Sequence, residues 1–299
     1  MVDYRLYSLI KVVENGSYVK AGRELSLSQP AVSQHIRQLE ETLGVKIFEH
    51  AHNRITLTAE GEIVVKYARR MIALSNNLKT ALKDEREQIR SLTIGITHTA
   101  ESSSIIEALA ACLNSYPDMN IKILTFTTDN LYKSLKNYEL DFAFVEGKTN
   151  DPSLSYIMLD TDCLVLAVAP EHPLARRTMV TIEELKREKL ILRLPDSGTR
   201  SLFISALETH NLHLNDFNVV LEIDNIATIK DLIRRGFGVS VLARSACMDE
   251  LGKKKIVALP IENLTMMREI NLVYSRDFDH PELVRDIVRC YNEQSGQNA

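Results

Sequence analysis

The chain has 299 residues, 45% hydrophobic and 25% charged, which fits a soluble globular protein with room for two or three domains. Its net charge of -4 advertises neither nucleic acid nor membrane as a partner of the whole molecule. No apolar run is long enough to span a bilayer, the opening "MVDYRLYSLIKVVENG" is too polar for a signal peptide, and Cys112, Cys163, Cys247 and Cys290 stand far apart without C-x-x-C spacing. A reducing cytoplasm is expected, with the cysteines as small buried residues; a redox-sensing thiol is the alternative.

Residues 1–58 hold short helical patterns separated by Gly16, by Ser28-Gln29-Pro30 and by Gly44. Ser17 before "YVKAGREL" and Ser28 before "QPAVSQHIRQLEETLG" are N-cap residues, and Pro30 is tolerated in a first turn. Two short helices joined by "SLS", with small Ala21 and Gly22 permitting a close crossing, make a helix-turn-helix pattern. At 100° per residue, Val32, Ile36, Leu39 and Leu43 form one buried stripe. Opposite lie Pro30, Gln34, Arg37 and Glu41, flanked by Ser33 and Gln38. Hydroxyl, amide and guanidinium groups pair with base edges and phosphates in a major groove. Glu40 and Glu41 follow, so only the first half of this helix is expected to dock, as recognition helices do. "VKIFEHAHNRITLT" contains two alternating segments around "HAHN", a hairpin or wing that directs Arg54 and the histidines toward the backbone or minor groove. A packing or protein-binding unit is the alternative, because this zone carries a net charge of only about +1 and phosphate contacts supply much of DNA affinity. Dimerisation would double its few cations.

Between Thr58 and about Ile89 there is no proline, and Gly61 is the only glycine. Thr58 is a further N-cap. Val64, Met71 and Leu78 recur every seven residues, with Tyr67, Leu74 and Ala81 between them, an a/d seam that ends where Glu85 would be next. The alternative is one face of a lone helix packing on its own domain. A helix roughly 45 Å long at about 1.5 Å per residue is too long for the first zone to cover, which favours a dimeric seam. Such a dimer would set two recognition helices on half-sites about one helical turn, or a multiple, apart.

From Ser91 onward, "LTIGIT", "IKILTF", "DFAFVEG", "CLVLAVA", "KLILRL", "NVVLEI", "GVSVLA" and "EINLVYS" alternate with helical segments, the pattern of a largely parallel α/β sheet. Open α/β sheets bind ligands beyond the carboxyl ends of their strands. Those ends offer Thr97, His98, Thr99 and Ser102 after the first run, Thr127 and Thr128 after the second, Glu146 after the third and Asn225 in "EIDN". Each alone is equally readable as a helix cap. His98 and Glu146 are expected either to recognise a donor on a ligand or to pair with each other. In "PDSGTRSLF", Ser197, Gly198 and Thr199 precede a helix, so hydroxyls and open N–H groups gather at a positive helix end and Arg200 adds charge: an anion site, or only a cap. Gly236 and Gly238 frame a helix-to-strand turn where positive φ is often needed. No phosphate loop, nucleophile elbow or H-E-x-x-H motif occurs, and neither His50/His52 nor His210/His213 has companions at metal-ligand spacing, so no cofactor or metal is expected. An enzyme and a solute-binding protein are the rivals from other classes; the second would need a secretion signal and would lack the helix-turn-helix.

"SYVKAGRELSLSQPAVSQHIRQLEETLGVKIFEH…ITLTAEG" resembles the N-terminus of LysR-type transcriptional regulators, whose pattern runs L-x-L/V-S-Q-P/S-A-L/V-S, I-x-x-L-E-x-x-L-G, L/I-F-x-R and L-T-x-x-G. His50 stands where an arginine is usual, which would make the wing's grip weaker or pH-sensitive. The resemblance implies an N-terminal all-α winged helix-turn-helix over 1–58, a linker helix over 59–90 and an α/β effector domain over 91–299. The last would have two subdomains (91–161 with 268–299, and 162–267) and resemble type 2 periplasmic binding proteins. It further implies that Ser33, Gln34 and Arg37 face the groove, that Gln29 and Pro30 open the recognition helix, and that the wing reaches the adjacent minor groove. Partners would be double-stranded DNA at an interrupted inverted repeat, a small-molecule effector, anionic by the chemistry of its cleft, and further copies of the chain in a dimer and a tetramer; no membrane is implied. Similar S-G-T-R turns line the effector cleft in the carbon- and sulfur-assimilation branch. A cysteine-based redox-responsive regulator of the same fold is the alternative within the family.

Overall fold

Three short helices open the chain in the computed structural model, which describes residues 2–51, 54–278 and 281–294. They are α1 (Tyr4–Asn15), α2 (Tyr18–Leu25) and α3 (Gln29–Leu43). Each begins on a polar side chain that accepts a first-turn amide: Asp3 from Arg5, Ser17 from Lys20 and Ser28 from Ala31. Each satisfied donor is one of the orphans of a helix end. A Cβ on Gly22 would stand 2.7 Å from the Leu27 carbonyl oxygen, so only glycine lets the turn close against α2. Leu9, Val12, Ala21, Val32, Ile36, Leu39 and Ile47 form the core of this unit. Leu43, expected on the same stripe, is 49% exposed: the cluster ends at Leu39 on this helix, and its last turn runs past it to Gly44, which stops the helix in the left-handed region at φ 68°.

Strands β1 (Phe48–Ala51) and β2 (Arg54–Leu57) form the antiparallel wing, with Phe48 opposite Leu57. Glu40 on α3 accepts from the Ile47 amide at 2.9 Å and pairs with Lys46 at 2.8 Å, so this acid fastens the wing to the helix. Thr58 accepts from the Gly61 amide and starts α4 (Ala59–Glu87). Its Val65 and Ala68 join the first unit's core, with Val64 and Ile72 packed against it. Tyr67, Met71, Leu74, Leu78 and Leu82 each keep half or more of their surface exposed. The long helix therefore has two apolar faces, one covered and one open.

The remaining elements are β3 (Arg90–Ile96), α5 (His98–Glu101), α6 (Ile105–Ser115), β4 (Met119–Thr125), α7 (Thr128–Lys136), β5 (Phe142–Glu146), β6 (Leu154–Val168), α8 (Ile182–Lys186), β7 (Leu190–Leu192), α9 (Gly198–Glu208), β8 (Val219–Glu222), α10 (Ile226–Arg234), β9 (Ser240–Ala243), α11 (Met248–Gly252), β10 (Val257–Leu259), β11 (Met267–Ser275) and α12 (Pro281–Gln294). Two compact units result: residues up to Ser91 with Asn137–Glu139, and Leu92–Lys136 with the chain from Leu140 onward.

The sheet of the second unit is mixed, which corrects the largely parallel expectation. Strands β3 and β5 are parallel, but β11 runs antiparallel to both β5 and β6, and β6 is antiparallel to β9 and β10. The cause is the 15-residue β6, which pairs through Leu154–Cys163 with β11 and through Leu164–Val168 with β9 and β10. This strand thus passes from one lobe into the other. One lobe is cored by Ile94, Ile96, Phe142, Phe144 and Leu272, the other by Leu166, Leu190, Phe203, Leu207 and Val241. Gly236 has φ 73°, as its turn demands, whereas Gly238 serves close approach: a Cβ there would lie 2.5 Å from the Lys189 carbonyl oxygen. Among the described residues no helix is long and apolar enough to cross a membrane.

Candidate DNA-reading face and effector cleft

On α3 the aliphatic side chains are inside and the polar ones outside. Val32 is fully buried and Ile36 is 3% exposed, while Gln29, Pro30, Gln34 and Arg37 are exposed and Ser33 is half-buried. Gln29 Nε2 donates to Ser33 Oγ at 3.0 Å, which orients the first turn. His35 turns inward, with Nδ1 2.7 Å from Ser8 Oγ. Glu41 does not point clear of the docking half: it pairs with Arg37 at 3.2 Å. Both side chains are largely exposed, and such pairs contribute only ~0–1 kcal/mol, so the guanidinium remains available to a phosphate. His52 and the Arg54 side chain lie outside the described residues.

In the second unit, Thr97, His98, Thr99, Phe126, Thr127, Thr128, Glu146, Arg193, Asp196, Ser197, Gly198 and Asp224 surround a cleft of about 310 Å³, part of it open solvent. These residues follow or end β3, β4 and β5 in the first lobe and β7 and β8 in the second. The chain leaves each strand there, so backbone and side chains not consumed by the sheet face one another. Thr97 Oγ1 accepts from the Ala100 amide as the cap of α5 and donates to Glu146 Oε1 at 2.7 Å. Thr99 Oγ1 lies 3.4 Å from Thr199 Oγ1, and both threonines are buried.

Nine of the strand-end and turn residues thus come together, and three do not line the cleft. Ser102 donates to the His98 carbonyl, Thr199 is covered behind the turn, and Asn225 caps α10 by accepting from Thr228. Two charged residues behave otherwise than expected. His98 pairs not with Glu146 but with Asp224, at 3.6 Å, and with Glu101, at 3.9 Å. Arg200 turns out of the cleft, donating to the Arg193 carbonyl at 3.0 Å and pairing with Glu222 at 2.8 Å. The cation of the cleft is Arg193, 3% exposed, which reaches Asp224 Oδ1 at 3.0 Å through Nη2 while Nε and Nη1 have no hydrogen-bond partner among the described residues. Beside it, α9 starts at Ser197 without a side-chain cap bond. A second buried guanidinium, Arg268, stands behind Gly198; it is within ion-pair distance of Asp162, at 3.5 Å, but its nitrogens make no hydrogen bond among the described residues. Open amides, a helix's positive end and unsatisfied guanidinium groups together suit an anionic group.

Phe126, Arg193, Asp196 and Asp224 were not among the residues expected in the cleft. Arg193 had a signal: it interrupts the apolar run "KLILRL", and an arginine carried inside on a buried strand needs a partner there.

The sequence profile of the bacterial regulatory helix-turn-helix protein, lysR family, matches residues 4–62, and that of the LysR substrate binding domain matches residues 85–296. The chain belongs to the LysR family. It is a LysR-type DNA-binding transcriptional regulator with an effector-binding domain, not an enzyme. Among relatives of this LysR-type regulator, the HTH-type transcriptional regulator CysL of Bacillus subtilis is 27% identical over 90% of each chain. A probable RuBisCO transcriptional regulator of Cyanidium caldarium is 26% identical over 91% of this chain and 88% of its own. The crystal structure of CbnR, a LysR family transcriptional regulator, superposes with a TM-score of 0.69 at 19% identity, covering 98% of this chain and 99% of that one. A full-length OxyR from Pseudomonas aeruginosa gives 0.65 at 20%, covering 98% and 95%. These likenesses show the shared fold.

Proposed function

We propose that this LysR-type regulator works in the cytoplasm as a dimer, assembled further into a tetramer, that binds an interrupted inverted repeat in double-stranded DNA and answers to a small molecule bearing an anionic group. DNA reading falls to residues 1–58, pairing of chains to 59–90 and effector sensing to 91–299, with the cleft between its two lobes. Gln34 and Ser33 read base edges, Arg37 holds a phosphate, Gln29 and Pro30 fix the helix start, and Arg54 reaches from the wing. The open face of α4 supports the dimer, since five large apolar side chains on one helix have no cover within the chain.

One observation carries the effector reading: Arg193 is buried in the cleft wall with two guanidinium nitrogens unpartnered beside the uncapped start of α9. A buried charge with unused donors is costly unless something completes it. Effector binding changes the DNA complex only as far as the effector prefers one placement of the paired DNA-binding units over another. The test is a thermal-shift screen with small anions, followed by operator binding with and without the stabilising compound. A compound at about a hundredfold over its Kd should add about 2.7 kcal/mol. Absence of any stabilising anion would remove the effector reading and leave the DNA-binding one.

The cysteine-based alternative has less support. Burial pushes the Cys112 and Cys247 thiols up to about 12 and raises Cys163, and a protonated thiol is a poor redox nucleophile.

A further inference from the structure

The wall of the cleft carries both signs of charge, and they are separated. At one end stand Arg193, Ser197 and Gly198 at the start of α9, with Arg268 behind. The other charged lining residues, apart from His98, are the carboxylates Glu146, Asp196 and Asp224. A site for a bare dianion would gather cations; here a doubly negative ligand would lie against three acids. Two of those acids are accounted for without a ligand: Asp224 is engaged by Arg193 and His98, and Asp196 is exposed at the start of the turn.

Glu146 is different. It ends β5 in the first lobe, is half-buried, and takes Thr97 Oγ1 on Oε1, with no hydrogen bond to Oε2 among the described residues. The hydroxyl-bearing Thr127 and Thr128 line the same cleft. A carboxylate with spare acceptor capacity among hydroxyl oxygens suits an ammonium, which brings three donors and a positive charge. We propose that the effector is zwitterionic, a small α-amino acid or close analogue, its carboxylate at the start of α9 against Arg193 and its ammonium at Glu146. This rests on the cleft being the effector site. Each buried charge then meets its opposite, whereas a simple anion leaves Glu146 unpaired and repelling.

Calorimetry and thermal shift on the full-length protein test this with pairs of compounds sharing a carbon skeleton: the standard amino acids against their des-amino acids (aspartate against succinate, alanine against propionate), with inorganic sulfate and phosphate alongside. At least one amino acid should bind, and its des-amino partner should bind about tenfold more weakly or worse. Glu146→Gln should weaken that amino acid by a similar factor and leave the des-amino acid unchanged. Equal binding of both members of every pair, binding by anions without an amine only, or an amino acid indifferent to Glu146→Gln each overturns the zwitterion and leaves the anion reading standing. No binding by any probe overturns both. The comparison of paired compounds on the parent protein needs no variant to fold.

Discussion

Asp224 accepts a hydrogen bond from Arg193 at 3.0 Å, and the same carboxylate lies 3.6 Å from His98 Nε2 in the opposite lobe. An internal acid therefore occupies the guanidinium that an incoming anion must share. Asp224→Asn keeps the shape and removes the competing charge. Affinity for the anionic group should rise about tenfold, the scale of one hydrogen bond to a charged group. The free protein should lose thermal stability, because Arg193 is then buried without a counter-ion. Calorimetry and a melting curve decide it; a variant that binds more weakly would show that Asp224 belongs to the ligand's own contacts.

The face over Val32 and Ile36 makes a sharper claim about sequence reading. Gln34 is exposed on the first half of α3, and its amide offers a donor and an acceptor to one base. Gln34→Ala should relax discrimination at one base pair by about 1–3 kcal/mol and leave preference elsewhere unchanged. Binding across a library of half-sites measures this. Arg37→Ala should instead weaken all sequences together and flatten the salt dependence, as loss of a phosphate contact does.

Local chemistry made the N-terminal half of the chain legible. The caps Ser17, Ser28 and Thr58 and the positive-φ Gly44 are written in residues that act within one turn, and the resemblance covers the same stretch. The effector unit was less so, because its geometry comes from pairings distant in sequence. The first half of β6 was missed since "LSYIMLD" packs one side only and mixes polar with apolar residues. Arg193 and Arg200 exchanged roles for a similar reason. Seven residues apart, both point toward the same carbonyl-rich turn, and only the position of Glu222 on β8 draws Arg200 away.

Acid should loosen the wing before it unfolds the rest. Burial pushes the Glu40 carboxyl up, but hydrogen bonds from Lys46 and from the Ile47 and Phe48 amides outweigh it and hold it below its ordinary value. A carboxylate lowered in the folded state contributes stability that is complete above its unfolded pKa and fades as pH falls through the folded one. Hydrogen exchange at the Ile47 amide should therefore speed up on acidification below about pH 4.5. Glu40→Gln should exchange quickly at neutral pH and lose that dependence. An amide equally protected in both proteins would place the wing's anchor elsewhere.

The open face of α4 carries the assembly. Leu78 is 61% exposed and stands one heptad beyond Met71, with Leu74 between them, so a second α4 is the surface that fits. Leu78→Asp puts a charge into that seam without touching Val65 or Ala68, which face the first unit's core. The variant should melt as the parent does in its separate domains yet scatter light as a monomer, and its operator affinity should fall steeply, since one recognition helix alone makes half the phosphate contacts. Scattering at the parental mass would mean that the seam is covered by something other than its copy, and the half-site spacing argued from a dimer would lose its basis.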